Sequence, residues 1–153
     1  MKFASLLSVA LCLANLSYSQ TWKGTGVENS GREIFYNADN ITILDIGQHK
    51  NVIKAWFKEK FVNYTILGVL YTSGYTLTLY AFDCDAKLWS INELIFSRPL
   101  GEVIQDYTYE AEWRETPPGT PMALLFYTIR NKYSGTINAN LHPVGGRQPG
   151  TSS

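Results

Sequence analysis

Leu77–Ile95 reads LTLYAFDCDAKLWSINELI, two apolar, aromatic-rich runs around a short polar break at Asp83-Cys84-Asp85. Leu77, Leu79 and Ala81 alternate with Thr76, Thr78, Tyr80 and Phe82. That is the two-residue period of a strand with unlike faces. In the second run Trp89, Ile91 and Ile95 share one parity, and Leu88, Ser90, Asn92 and Leu94 the other. Both runs are short and rich in β-formers, which predicts an antiparallel hairpin rather than a helix.

Upstream, Val52–Phe61 (VIKAWFKEKF) has the clearest alternation in the chain. Ile53, Ala55, Phe57 and Phe61 take the parity that belongs in a core; Lys54, Trp56, Lys58 and Lys60 take the other. Three lysines with a tryptophan among them make a basic ladder. It suits an acidic partner with Trp56 as anchor, and it equally suits an ordinary solvated face whose lysines discourage edge pairing. Lys54, Trp56, Lys58 and Lys60 are therefore the candidate partner-binding residues.

Earlier still, Arg32–Asp45 (REIFYNADNITILD) reads as two short strands joined by a turn, or one strand with a bulge. Gln20–Gly31 offers a first edge strand anchored by Trp22 and Val27, with turn residues around Asn29-Ser30-Gly31. Gly47–Asn51 reads as a turn. Asn63–Tyr75 mixes apolar residues with Gly68 and Gly74, and the reading is a loop with a partly buried flank. Asn40-Ile41-Thr42 and Asn63-Tyr64-Thr65 match the glycan acceptor pattern, which matters only on a eukaryotic secretory route.

Downstream, Ser97–Gly101 is a turn and Glu102–Glu110 (EVIQDYTYE) a further strand. Pro117-Pro118-Gly119 then stops the sheet. Thr120 and Pro121 have the chemistry of a helix start: a hydroxyl cap, then a residue whose missing N–H costs nothing there. Met122, Leu125, Phe126, Ile129 and Tyr133 recur at spacings of three and four, one apolar stripe. Gly135 stands where a left-handed cap belongs. Residues 135–153, poor in apolar side chains, read as a disordered tail. The expected fold is α+β, mainly β: an antiparallel sheet of about six strands with one C-terminal amphipathic helix packed on it.

At 153 residues the chain is one domain, with 13 basic against 13 acidic residues. That balance argues against a nucleic-acid partner. Residues 1–19 have the pattern of a secretory signal peptide: Lys2, an apolar run from Phe3 to Ala14, and small residues at Ser17 and Ser19. The run is too short to span a bilayer, and no second run of spanning length follows. Cys12 has Leu11 before it where a lipid-attachment site wants a small residue. The domain proper then runs from Gln20 to Ser134.

Removal of the leader leaves Cys84 as a single cysteine. Two roles are open to it: a buried inert thiol, or an intermolecular disulfide holding a homodimer. Asp83 and Asp85 disfavour its thiolate by like-charge repulsion, so it makes a poor nucleophile. No phosphate loop, paired-histidine motif, Cys-x-x-Cys or nucleophile elbow occurs in the sequence. Asp83 and Asp85 have calcium-loop spacing without the glycine and distal glutamate. Glu110, Glu112 and Glu115 cluster around Arg114 on a polar connector. The expectation is a non-enzymatic protein without a cofactor or metal.

From Arg32 to Arg130, about two-thirds of the chain, the order of features resembles the surface-adhesin protein E family of bacterial secreted and outer-membrane proteins. The carriers are FYNADNITI around Tyr36, the strand NVIKAWF, AFDCDAKLWSI with its Asp-Cys strand end, and AEWRETPPGTPMALLFYTI with its tryptophan, Pro-Pro-Gly turn and closing helix. The resemblance implies an antiparallel sheet with one C-terminal helix, a periplasmic, secreted or cell-surface location, and adhesin-like binding of host extracellular-matrix proteins. The alternative is a periplasmic structural or accessory protein sharing only the fold. The family often places a second cysteine in the terminal helix. Ile129, Arg130 and Asn131 stand there in this chain, so no intrachain disulfide is expected.

Overall fold

The computed structural model describes residues 20–141. The expected signal peptide and residues 142–153 lie outside them. Seven strands and one helix follow in order: β1 (Trp22–Asn29), β2 (Arg32–Ile46), β3 (His49–Ile66), β4 (Val69–Asp83), β5 (Leu88–Ser97), β6 (Val103–Thr108), β7 (Arg114–Glu115) and α1 (Pro121–Leu141). β1 to β6 form an antiparallel meander in which every strand pairs with its neighbours in sequence, and the two-residue β7 pairs with β5. The expected class, a mainly β fold closed by one C-terminal helix, is what the chain adopts.

The stretch around Asp83 folds as its alternation predicts. Thr78 pairs with Leu94, Tyr80 with Ile91 and Phe82 with Trp89, with one bulge between Leu79 and Tyr80. Asp83 closes the turn: its Oδ1 accepts from the Asp85 and Ala86 amides at 3.0 and 2.9 Å. Its Oδ2 lies 2.6 Å from His49 Nδ1, and the His49 ring lies tilted against Trp113 with centroids 4.2 Å apart. Asp83 is thus occupied by the turn. Among the described residues, no three His, Cys, Asp or Glu side chains gather as metal donors.

β3 presents its parities as read. Ile53, Ala55, Phe57 and Phe61 are buried, while Lys54, Trp56, Lys58 and Lys60 lie on the opposite face. Arg32–Asp45 is one strand with a bulge between Tyr36 and Ile41, which lets Ile34, Tyr36, Ile41 and Ile43 all serve the core face.

The core lies between that face and α1. Leu125, Phe126 and Ile129 pack against Val27, Ile34, Tyr36, Ile53, Phe57, Phe82 and Cys84, with Met122 and Tyr133 at the margins. Phe82 meets Phe57 and Phe126 edge-on at 5.9 and 6.1 Å. The helix starts where Thr120 and Pro121 predict, with the Thr120 hydroxyl oxygen accepting from the Ala123 amide at 3.2 Å. Farther along, Lys132 Nζ donates to the Tyr36 hydroxyl.

Two expectations fail. Asn63–Tyr75 is not a loop. β3 and β4 stay paired through it, with Val62 opposite Ser73, Tyr64 opposite Tyr71 and Ile66 opposite Val69. Neither glycine interrupts the ladder. Leu67 and Gly68, at φ of 49° and 80°, make the two-residue turn. Gly74 is a point of close approach, where a Cβ would lie 2.3 Å from both the Phe61 ring and the Ser97 carbonyl. Asn63 takes a φ of 50° without loss of register. Tyr64 consequently stacks on Phe96 at 5.6 Å, and Ile66 is buried with Phe61 and Phe96 in a second small core.

The other failure is at the C-terminus. Gly135 does not cap α1: it lies inside the helix, which continues to Leu141. Residues 135–141, expected as part of the tail, are therefore helical. A mid-helix glycine costs only about 1 kcal/mol relative to alanine, too little to stop a helix already anchored by Phe126 and Ile129.

Candidate functional site

The meander leaves one sheet face to α1 and the other free of it. Register fixes what shares the free face. Trp22 pairs with Asn37, Trp56 with Leu79, and Leu79 with Glu93. In the next row Phe35 pairs with Lys58, Lys58 with Leu77, and Leu77 with Ile95. A period of two along each strand and pairing across strands thus gather residues more than seventy positions apart in sequence.

At its centre is a hollow of about 220 Å³ lined by Gln20, Trp22, Asn37, Trp56, Leu77 and Ile95. Lys58 Nζ lies 5.3 Å from the Trp22 ring centroid and 4.0 Å from that of Tyr75. Such contacts hold an ammonium by about 0.5–1 kcal/mol at an exposed site, so an anion brought to the face can draw Lys58 away. Lys54, Trp56 and Lys58 are half-buried and Lys60 is exposed. The four candidate residues therefore do form one column, but Lys58 lies across rings instead of projecting freely. An arrangement of two indoles, two side-chain amides and an aliphatic floor binds by contact area, with the lysines giving charge selectivity.

Sequence reading missed Trp22, Asn37, Tyr75, Leu77 and Ile95 as members of this face. The parity of Leu77 and Ile95 was visible. Their side of the sheet required knowing that Phe82 and Phe57, of opposite parity, pack under the helix.

Other hollows have weaker chemistry. One of about 260 Å³ at the β5 edge is lined by Trp89, Ile91, Tyr109, Glu110, Glu112 and Arg114. Its carboxylates are on the surface, and Glu112 is tied to Arg114 at 2.7 Å. One of about 280 Å³ beside the second core holds Arg32 and Glu59, 3.5 Å apart, with Asn29 donating to Glu59 at 3.3 Å. Neither places a nucleophile against a base.

Cys84 belongs to the main core and is 5% exposed. Burial is the larger cause that pushes its thiol up to about 11, against the pull of Arg130, and Asp85 and Asp83 push it the same way. It packs in the same core cluster as Leu125, Phe126 and Ile129, so of its two open roles the intermolecular disulfide would require the core to open. Burial likewise raises the Tyr80 phenol to about 12. Among the described residues no helix is long and apolar enough to cross a membrane. Comparison with protein-family models, with curated proteins and with solved structures finds no match to this chain.

Proposed function

We propose that the chain is a secreted or cell-envelope binding protein without enzymatic activity, adhesin-like, whose partner class is the extracellular-matrix proteins. The membership in the surface-adhesin protein E family suggested by AFDCDAKLWSI and its neighbours is part of the same proposal. The observation that supports it is the pairing of Trp22 and Trp56 around one hollow, on a sheet face that α1 leaves free, with Lys54, Lys58 and Lys60 beside them. Indoles in a shallow apolar depression are typical binding anchors, and neighbouring charges set approach and selectivity.

The test is surface plasmon resonance of the chain from Gln20 onward over a panel of matrix proteins such as laminin and vitronectin. Saturable binding is expected, with Trp56→Ala weakening it roughly 30-fold, as for a central anchor. Lys58→Ala should lower the association rate and its salt dependence more than the dissociation rate. Absence of saturable binding across the panel, or equal affinity of Trp56→Ala with an unchanged circular dichroism spectrum, overturns the proposal.

A further inference from the structure

The sheet's far end, where β3 turns into β4 and β5 into β6, has a surface unlike the rest. Leu67 is 74% exposed, Leu70 62%, Val69 53%, Val103 57% and Leu100 fully. β5 pairs with β4 only as far as Ser97 opposite Tyr75, while β3 and β4 stay paired to Ile66 and Val69, so the β3–β4 turn projects beyond the β5–β6 turn; Arg98, on the shorter turn, places its guanidinium 5.8 Å from the Tyr71 ring on the flank of the arm. Ile104 packs on the same small core as Ile66 and Tyr71.

Neither packing nor turn chemistry explains the exposed leucines. Leu67 occupies the left-handed region, where an asparagine before glycine is the favoured pair and a leucine is strained. Strain of that kind persists where a side chain has a use. Charge is also excluded from the arm: from Phe61 to Phe82 there is no Asp, Glu, Lys, Arg or His. Tyr64 and Tyr71 sit just below the tip, opposite each other. Exposed Lys60 lies farther down, with Arg98 and its ion-pair partner Glu102 at 3.2 Å on the neighbouring turn.

We propose that the tip of this arm dips into the surface of a lipid bilayer, with Leu67, Val69 and Leu70 among the acyl chains and the tyrosines at headgroup level. The vertical order is the one a bilayer interface selects: aliphatic tip, tyrosine belt, then cations. Thr65 and Ile66 separate Tyr64 from Leu67 at the turn, three steps of strand or about 10 Å of rise, which matches the depth of interfacial insertion. A convex tip needs no preformed groove in a fluid partner, whereas a protein partner must supply one. Arg98 is shared with Glu102, so insertion rather than attraction to anionic headgroups dominates. This surface is separate from the Trp22–Trp56 hollow, and the inference stands or falls independently of matrix binding.

The test is sedimentation of the chain from Gln20 onward with phosphatidylcholine vesicles, and with vesicles containing one quarter phosphatidylglycerol, at low and high salt. Binding to both is expected, with little loss in high salt. Leu67→Asp with Leu70→Asp should reduce partitioning at least tenfold, since a charge is costly among acyl chains. Leu67→Asn relieves the turn strain, so it keeps the fold and should still bind several-fold less. A nitrobenzoxadiazole dye on Leu67→Cys should shift blue on vesicles alone, with buried Cys84 left unlabelled. No sedimentation, undiminished binding of both variants, or binding only to the anionic vesicles and lost in salt overturns the proposal. A dye already blue-shifted without vesicles, in a species of dimer mass, overturns it in favour of a second copy covering the tip.

Discussion

Replacing Phe126 with alanine tests whether α1 is the lid of the core. Phe126 is 1% exposed and meets Phe82, itself fully buried, edge-on at 6.1 Å. Truncating a buried phenylalanine costs about 3–5 kcal/mol in lost transfer energy and residual cavity. The rigid sheet beneath cannot collapse into the space, which places the expected loss near 4 kcal/mol. Roughly 120 ordered residues give an unfolding entropy near 0.25 kcal/mol/K, so Tm should fall by about 16 °C. Urea unfolding followed by tryptophan fluorescence gives the free energy, and calorimetry gives Tm. Pairing the change with Phe82→Ala should reveal a coupling of about 0.5–1.5 kcal/mol from the ring contact, beyond the two single losses. If the helix did not lie on the sheet, Phe126→Ala would be neutral or slightly stabilising, because alanine is the better helix former. A loss below about 1 kcal/mol therefore refutes the packing described here.

Gly74→Ala should destabilise by about 1–3 kcal/mol in the same urea assay, because its Cβ would meet the Phe61 ring and the Ser97 carbonyl; an unchanged midpoint would show the arm to be looser than described. The Cys84 thiol and Tyr80 phenol hold their protons more tightly folded than unfolded, where their ordinary values are 9.0 and 10.0. The stability they confer is full below pH 9.0 and is lost as pH rises through about 11 and then about 12. A urea midpoint that falls from pH 8 to pH 10.5, less so in Cys84→Ala, is expected; at pH 8 the native thiol should react with a thiol reagent only on unfolding.

The hairpin at Asp83 and the β3 faces were legible because period two is a strong signal when one side is apolar, as in Ile53, Ala55 and Phe57. Thr120-Pro121 was equally readable, since capping is local chemistry. The β3–β4 arm was not. Its turn is Leu67-Gly68, without the asparagine or aspartate that marks such hairpins, and Gly74 has the same letter as a breaker. What Gly74 does depends on Phe61 and on the Ser97 carbonyl one strand away, which no local window contains. The candidate face shows the same division. Lys54, Trp56, Lys58 and Lys60 share one strand and could be seen together. Trp22 completes the hollow only because β2 lies between β1 and β3, a fact of sheet order.

That sheet order has a kinetic corollary. Each strand meets its partner as soon as the next turn is made, so the ladder can zip from either end of any hairpin with short loops to close. The helix contact is different: Lys132 and Tyr36 are 96 positions apart. A ribosome delivers Pro121–Leu141 after the seven described strands, so a nascent chain carries Phe82, Phe57 and Ile53 uncovered until that helix emerges. Chaperone dependence during biogenesis should therefore track the helix, and a premature stop before Pro121 should leave an aggregating sheet rather than a smaller working protein.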